Sequence, residues 1–294
     1  MIETGGQQLK PMSISEIVSV SFSILSRRYF EFVLPFLIIS LIEWLFSAIF
    51  RGFPPLHYPF FIGIVIFGAF GSIVLALVFN AISTGIVTQL AADEFLGKET
   101  SLKKSFNVAL DVLPSIIVGA ILVGIIVLIG FILLVIPGII FLVWLCLTPT
   151  VIVLERKEAV DAVGRSKKLT KGKWFHTSGV IVIIFVILWI ASSIGSAISG
   201  LFALALPRLF TTLVEKIISS LISPIYGVII TVLYFDLLAR EKLEAFLMAP
   251  AAPYPKPEVK VEEVPTITYR YCPYCGAPLP PDAKFCPKCG ASVE

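Results

Sequence analysis

The chain has 294 residues, 57% of them hydrophobic and 15% charged, with 23 Lys+Arg against 20 Asp+Glu for a net charge of +3. A mean hydropathy of +0.96 excludes an ordinary soluble globular protein, and a net charge this small argues against a nucleic-acid binder. Four of the five cysteines fall in the last 23 residues, which excludes a disulfide framework spread through a secreted fold.

Residues 1–12 are polar, carry no apolar signal core with a cleavage site, and are expected to be disordered. Residues 13–28 place Ile14, Ile17, Val18, Phe22 and Leu25 at helical spacing between serines. That pattern predicts a surface-lying amphipathic helix with Ser13 or Ser15 as N-cap. At about 1.5 Å per residue, roughly 20 apolar residues cross a bilayer. Residues 30–50 make a first span, residues 51–59 with His57 an outer turn, and residues 60–92 a long second span. Gly68, Ser72 and Ala76 recur every four residues along it, as a closely packed helix face would. A second amphipathic segment (101–110) leads to a third span at 114–135. Pro137–Gly138 is expected to turn the chain into a short fourth span, 139–154, which contains Pro149.

The longest break in the hydrophobic region follows. Residues 155–173 hold Arg156, Lys157, Arg165, Lys167, Lys168, Lys171 and Lys173, with apolar Ala159, Val160, Val163 and Leu169 marking a third surface helix. A fifth span is expected at 175–206, with Ser192, Ser196 and Gly200 at packing spacing, and a sixth at 217–239 after an outer turn at Pro207–Arg208. With the basic segment inside, 15 Lys and Arg lie in inner segments, 3 in outer ones and 5 in the tail. This asymmetry predicts cytoplasmic N- and C-termini in the plasma membrane. A surface helix followed by an apolar hairpin recurs three times, beginning near Ser13, Ser101 and Lys157.

Residues 13–248 thus read as an all-α membrane domain of six spans and three interfacial helices. Residues 249–268 form a proline-rich linker. Residues 269–294 contain the clearest chemical motif, two C-P-x-C-G knuckles built on Cys272, Cys275, Cys286 and Cys289. Two residues between cysteines let paired thiolates converge on one tetrahedral ion, and the following glycine permits the turn. About 25 residues cannot bury enough apolar surface to fold alone, so the metal supplies the folding energy. Four thiolates leave no open position, which makes the site structural. Zinc suits this set, against a rubredoxin-type iron or a redox dithiol. The ribbon's balanced charge favours a cytoplasmic or membrane protein partner over nucleic acid.

Within the spans, Glu43, Asn80 and Asp236 are the polar candidates. Glu43 is expected to pair with Arg51 or outer water, Asp236 with Arg240 four residues on, and Asn80 and Gln89 to bond between helices. His57 and His176 fall on opposite membrane faces, and Cys146 reads as inert packing. The seven cations of the basic segment are also suited to meet anionic headgroups, and the lipid bilayer is an expected partner. No H-E-x-x-H, G-x-S-x-G or phosphate-cradling glycine loop occurs, so no catalytic residue is assigned and a non-enzymatic protein is expected.

Three stretches, residues 13–28, 151–174 (V-I-V-L-E-R-K-E-A-V-D-A-V-G-R-S-K-K-L-T-K-G-K-W) and 224–236 (P-I-Y-G-V-I-I-T-V-L-Y-F-D), resemble a polytopic family: the membrane domain attached to some bacterial glycerophosphodiester phosphodiesterases, with stand-alone archaeal and bacterial relatives. The resemblance covers about residues 12–245 and implies six helices with interfacial helices. The phosphodiesterase domain and its acidic metal site have no counterpart here, so the hydrolytic activity does not carry over. The expectation is a membrane scaffold or adaptor whose zinc ribbon docks a partner; the alternative is a transporter or lipid-handling protein. Nothing in the sequence specifies an oligomeric state.

Overall fold

A computed structural model describes residues 10–51, 59–204, 206–248 and 270–293. The expected disordered start up to residue 9, most of the turn that holds His57, and the proline-rich linker lie outside the described residues. The chain divides into two compact units, Met1–Met248 and Ala249–Glu294.

In the first unit eleven helices are described: α1 (Ile14–Arg27), α2 (Tyr29–Arg51), α3 (Pro59–Phe95), α4 (Leu102–Asp111), α5 (Leu113–Leu133), α6 (Val135–Leu145), α7 (Thr148–Glu155), α8 (Ala159–Thr170), α9 (Trp174–Ala203), α10 (Arg208–Ile222) and α11 (Pro224–Met248). Six segments are long and apolar enough to cross a membrane: Tyr29–Ile49, Gly68–Phe95, Leu113–Leu133, Val135–Glu155, Trp174–Ala203 and Arg208–Leu247. The order short helix, long helix, returning helix occurs three times, at α1–α3, α4–α7 and α8–α11. In the second and third rounds the returning helix is broken in two.

Local chemistry explains where these helices start and stop. Ser13 caps α1 through a capping box: its hydroxyl accepts the Glu16 N–H at 3.3 Å, and Glu16 accepts the Ser13 N–H at 2.7 Å. The same backbone bond holds the Glu16 carboxyl below its ordinary range. The α5–α6 turn falls at extended Leu134 (φ −167°, ψ 154°) rather than at Pro137–Gly138. Pro137 instead occupies the first turn of α6, where a missing N–H costs nothing. Gly138 lets the hairpin close: a Cβ there would stand 2.5 Å from the Phe131 ring.

Both broken spans end in carbonyls that lose their helical donors, and neighbouring hydroxyls replace those donors. At the α6–α7 break, the Trp144 carbonyl accepts Ser166 Oγ at 2.7 Å. At the α10–α11 break, the Leu221 carbonyl accepts the Tyr29 hydroxyl at 3.0 Å. Such substitutions make a broken helix tolerable in a membrane.

The buried core occupies one end of the unit. It joins Ile17 and Leu25 of α1, Val87 and Leu90 of α3, Ala109 of α4, Ile152 of α7, Leu169 of α8, Val180 of α9, and Leu233 and Leu237 of α11. The opposite end is splayed. There Leu45 and Ile49 of α2, Phe70 and Ile73 of α3, Ile132 to Ile136 of the α5–α6 turn, Ile194 and Leu201 of α9, and Phe210 of α10 are exposed. These outward apolar side chains are what a lipid-facing surface requires. Of the small-residue faces, Gly68 is buried but Ser72, Ala76, Ser192, Ser196 and Gly200 are exposed; on α9, Gly195 and Ser199 are buried and Gly179 packs against Ile14.

The packed end depends on close backbone approach. A Cβ on Gly85 would meet Ala109 Cβ at 2.7 Å and its backbone Cα at 3.0 Å, whereas one on Gly200 would meet nothing within 4 Å. Gly85→Leu should therefore destabilise the detergent-solubilised protein by about 1–3 kcal/mol while Gly200→Leu leaves it unchanged. Thermal unfolding followed by helical circular dichroism checks both.

Candidate functional site

In the second unit, β1 (Arg270–Tyr271) pairs antiparallel with β2 (Pro278–Leu279), and Phe285 bridges to Ser292. The two cysteine knuckles have the same local geometry. Cys272 N–H donates to Ala277 O at 2.8 Å and Gly276 N–H to Cys272 O at 2.9 Å; Cys286 N–H donates to Ala291 O at 2.9 Å and Gly290 N–H to Cys286 O at 2.8 Å. Gly276 (φ 69°) and Gly290 (φ 71°) sit in the left-handed region that closes each turn.

The knuckles bring four sulfurs together. Cys272 and Cys289 Sγ are 3.7 Å apart, Cys275 and Cys286 Sγ 3.6 Å, and all four lie within 4.8 Å of one another. A tetrahedral ion at about 2.3 Å from each sulfur requires sulfur separations of about 3.8 Å, so the four thiolates fit zinc. Backbone N–H groups of Cys289 and Lys288 aimed at Cys286 lower its thiol to about 6. Cys289 receives help from the Ala291 N–H, but the crowded neighbouring sulfurs, Cys275 first, push it up to about 12. The ribbon's buried residues are Cys272, Leu279 and Cys286, with Ala277, Ala283 and Val293 packed around them. Nothing in so small a core replaces the metal as the source of folding energy.

In the membrane unit, Asp236 is fully buried and accepts from three segments: Met12 N–H at 2.7 Å, His176 Nε2 at 2.9 Å and Arg240 Nε at 3.0 Å. Arg240 also donates to the Met12 carbonyl at 2.6 Å. The ordered chain therefore begins before Ser13, since Met12 is 7% exposed and both its backbone polar atoms are bound. The expected Asp236–Arg240 pair is present, as part of a wider node.

The basic segment forms a second node. Arg165 donates to both oxygens of Glu241 at 2.7 Å and to Glu155 at 3.0 Å, and Glu155 also accepts the Tyr234 hydroxyl at 3.0 Å. The Glu241 bonds push the Arg165 guanidinium pKa up, against desolvation, with Glu155 acting in the same direction. Lys157 meets Glu155, Lys168 Glu241, Lys173 Glu244 and Arg156 Asp111, while Lys167 lies 4.9 Å over the Trp144 ring. Lys171 has no such partner among the described residues. Most of these cations are thus engaged inside the protein.

Glu43 pairs with Lys216 on α10, a partner the sequence placed in an outer turn. Asn80 accepts from Thr84 at 3.4 Å and Gln89 donates to Asp93 at 3.0 Å, each within α3 and not between helices. Cys146 is half-buried, its thiol donating to the Val143 carbonyl. Between α2, α3, α9, α10 and α11 lies a cavity of about 450 Å³, with Asn80, Thr84, Ser196, Ser199 and Glu215 in its walls. A smaller pocket of about 160 Å³, sharing Phe36, Asn80, Ser219 and Ser223 with it, contains Glu43, Ser83 and Lys216. No short motif marks this cavity, because its polar residues come from four separate helices, α3, α9, α10 and α11.

Comparison with family models accounts for most of the chain. Residues 29–241 match the domain of unknown function DUF7847. The chain belongs to the DUF7847 family. Residues 271–293 match the zinc-ribbon domain, so this member carries a structural zinc module beside its membrane helices. No curated protein and no solved structure matches the chain.

Removing Asp236 leaves Arg240 and the Met12 N–H without their buried acceptor. Asp236→Ala should cost about 3–5 kcal/mol and expose the chain near Met12 to protease; thermal unfolding and limited proteolysis measure the two effects. In the ribbon, protons compete with zinc for sulfur, so affinity should fall as pH falls. A chromophoric chelator should take up one zinc per chain, faster at pH 5 than at pH 7.5, without loss of the helical circular dichroism signal.

Proposed function

We propose that this DUF7847 member is a non-enzymatic adaptor of the plasma membrane, whose helical domain anchors a cytoplasmic zinc ribbon that docks a cytoplasmic or membrane protein. The observation that carries the reading is the ribbon itself. Its four sulfurs form a closed set with no position for substrate, while Tyr271, Tyr274 and Phe285 are 68%, 76% and 66% exposed. Three outward aromatics on so small a module are the anchors that protein interfaces use.

Orientation follows from charge. Arg27 and Arg28 meet Glu94, Lys104 meets Asp93, and Arg156, Arg165, Lys173 and Arg240 belong to the nodes of the packed end. Concentration of cations at that end supports placing it, with both termini, in the cytoplasm. Helices α1, α4 and α8 would lie at the interface there. Each buries one face and leaves an apolar side chain outward: Phe22, Phe106 and Val160. The resemblance to the membrane domain of glycerophosphodiester phosphodiesterases fits this anchoring role. A second reading, solute or lipid handling, rests on the cavity between α2, α3, α9, α10 and α11.

Tyr274→Ser separates docking from folding, since it removes an exposed ring and no zinc ligand. Proteins that co-purify with the full chain from native membranes should be lost both from Tyr274→Ser, which keeps its zinc, and from Cys272→Ser/Cys275→Ser. An unchanged set of partners in both variants would refute the adaptor reading.

A further inference from the structure

The cavity and the smaller pocket beside it have polar walls, and the way those polar groups are already engaged selects a ligand. Ser40 and Ser220 of the smaller pocket, and Ser223, which lines both spaces, each donate to a backbone carbonyl of their own helix, at 2.9, 2.7 and 2.7 Å. A hydroxyl engaged in this way presents only lone pairs to the space beside it. Thr84 likewise donates to Asn80 Oδ1. Two more hydroxyls, Ser199 in the cavity wall (2% exposed) and Ser83 in that of the smaller pocket (1% exposed), have no hydrogen-bond partner among the described residues. Buried polar atoms left in that state are destabilising unless something binds them.

Charge points the same way. Lys216 is neutralised by Glu43, whereas Glu215 has no cationic partner among the described residues. Beside the Asn80 amide and the Tyr226 hydroxyl, which can donate, the walls thus offer several acceptors and one carboxylate, Glu215, without a cationic partner among the described residues. Leu188, Ile218 and Ile222 line its apolar side, and the splayed end around it is exposed apolar surface.

We propose that this cavity binds a primary ammonium group carried on a small or amphiphilic molecule, with Glu215 as counter-ion and the seryl and threonyl oxygens accepting its N–H bonds. The ammonium can belong to an aminolipid headgroup or to a free organic amine. Both present three N–H donors, which a trimethylated ammonium lacks. An anionic ligand is disfavoured, because Lys216, the one cation among the described lining residues, is already committed to Glu43.

The test uses the full-length protein in nanodiscs of equal phosphatidylethanolamine and phosphatidylcholine, released into a mass spectrometer to identify retained lipid. Ethanolamine binding is measured in parallel by calorimetry in phosphatidylcholine-only nanodiscs. Glu215→Gln removes the counter-ion without breaking an ion pair, and Ser196→Leu fills the cavity from an exposed position; unchanged circular dichroism certifies that both fold. Retention of phosphatidylethanolamine over phosphatidylcholine, reduced at least about tenfold (about 1.4 kcal/mol) in both variants, establishes a lipid-borne amine. Ethanolamine binding lost in both variants, without lipid selection, establishes a free amine. No preference for either amine over its trimethylated counterpart, or equal binding by wild type and folded variants, overturns the proposal. The adaptor reading stands or falls separately, since neither variant touches the ribbon.

Discussion

A carboxylate with no solvent exposure must be surrounded by donors, and at Asp236 those donors come from three places far apart in the chain: Met12, His176 and Arg240. In lipid, helices gain little from burying apolar surface against one another, so close packing and polar contacts decide how they associate. Asp236 supplies the polar contact at the centre of the packed end. It holds the entry of α1, the start of α9 and the middle of α11 in one layer. The Arg165 clamp on Glu155 and Glu241 holds α7, α8 and α11 in the same layer. An unpaired charge there would cost several kcal/mol, so the nodes specify this arrangement even where their net contribution to stability is small.

Order at one end permits looseness at the other. Helix α10 runs antiparallel to α2, with Trp44 Nε1 on the Leu209 carbonyl, Lys216 on Glu43 and Tyr29 on the Leu221 carbonyl. The chain then breaks at Ser223–Pro224 and continues as α11 into the packed layer. Fifteen residues of α10 rise about 22 Å, and its neighbours spread apart enough to leave the acceptor-lined cavity. The two membrane features therefore share one origin: breaking the last returning helix lets its second half serve as core while its first half lines a ligand-sized space.

Six apolar segments, the Ser13 cap and the paired cysteine knuckles were legible in the sequence because each rests on local spacing. The positions of the breaks were not. Pro137–Gly138 looks like a turn, yet proline is equally at home in a first helical turn, and the chain reverses at Leu134. The sixth span was expected to start only at residue 217, with Lys216 in the outer segment before it, but Lys216 is satisfied by Glu43 and lies within α10, which starts at Arg208. Likewise Arg240 to Glu244 looked like the end of a span, while α11 continues through them because Arg165 and Lys173 pair with Glu241 and Glu244. Asn80 and Gln89 were expected to join helices and instead bond to residues four positions on within α3. Long-range pairing decided each of these, and spacing along the chain carries no record of it.

In this architecture α10 meets lipid while the middle of α11 is enclosed by protein. Spin labels placed singly at Phe210, Leu221, Leu233 and Leu237 of the protein in nanodiscs, with collision rates for oxygen and a water-soluble nickel chelate, read this directly. Labels at Phe210 and Leu221 should collide freely with oxygen; labels at Leu233 and Leu237 should be shielded from both reagents. High oxygen accessibility at Leu233 and Leu237 equal to that at Phe210 would make α10–α11 a single lipid-facing span and contradict the packed-end architecture.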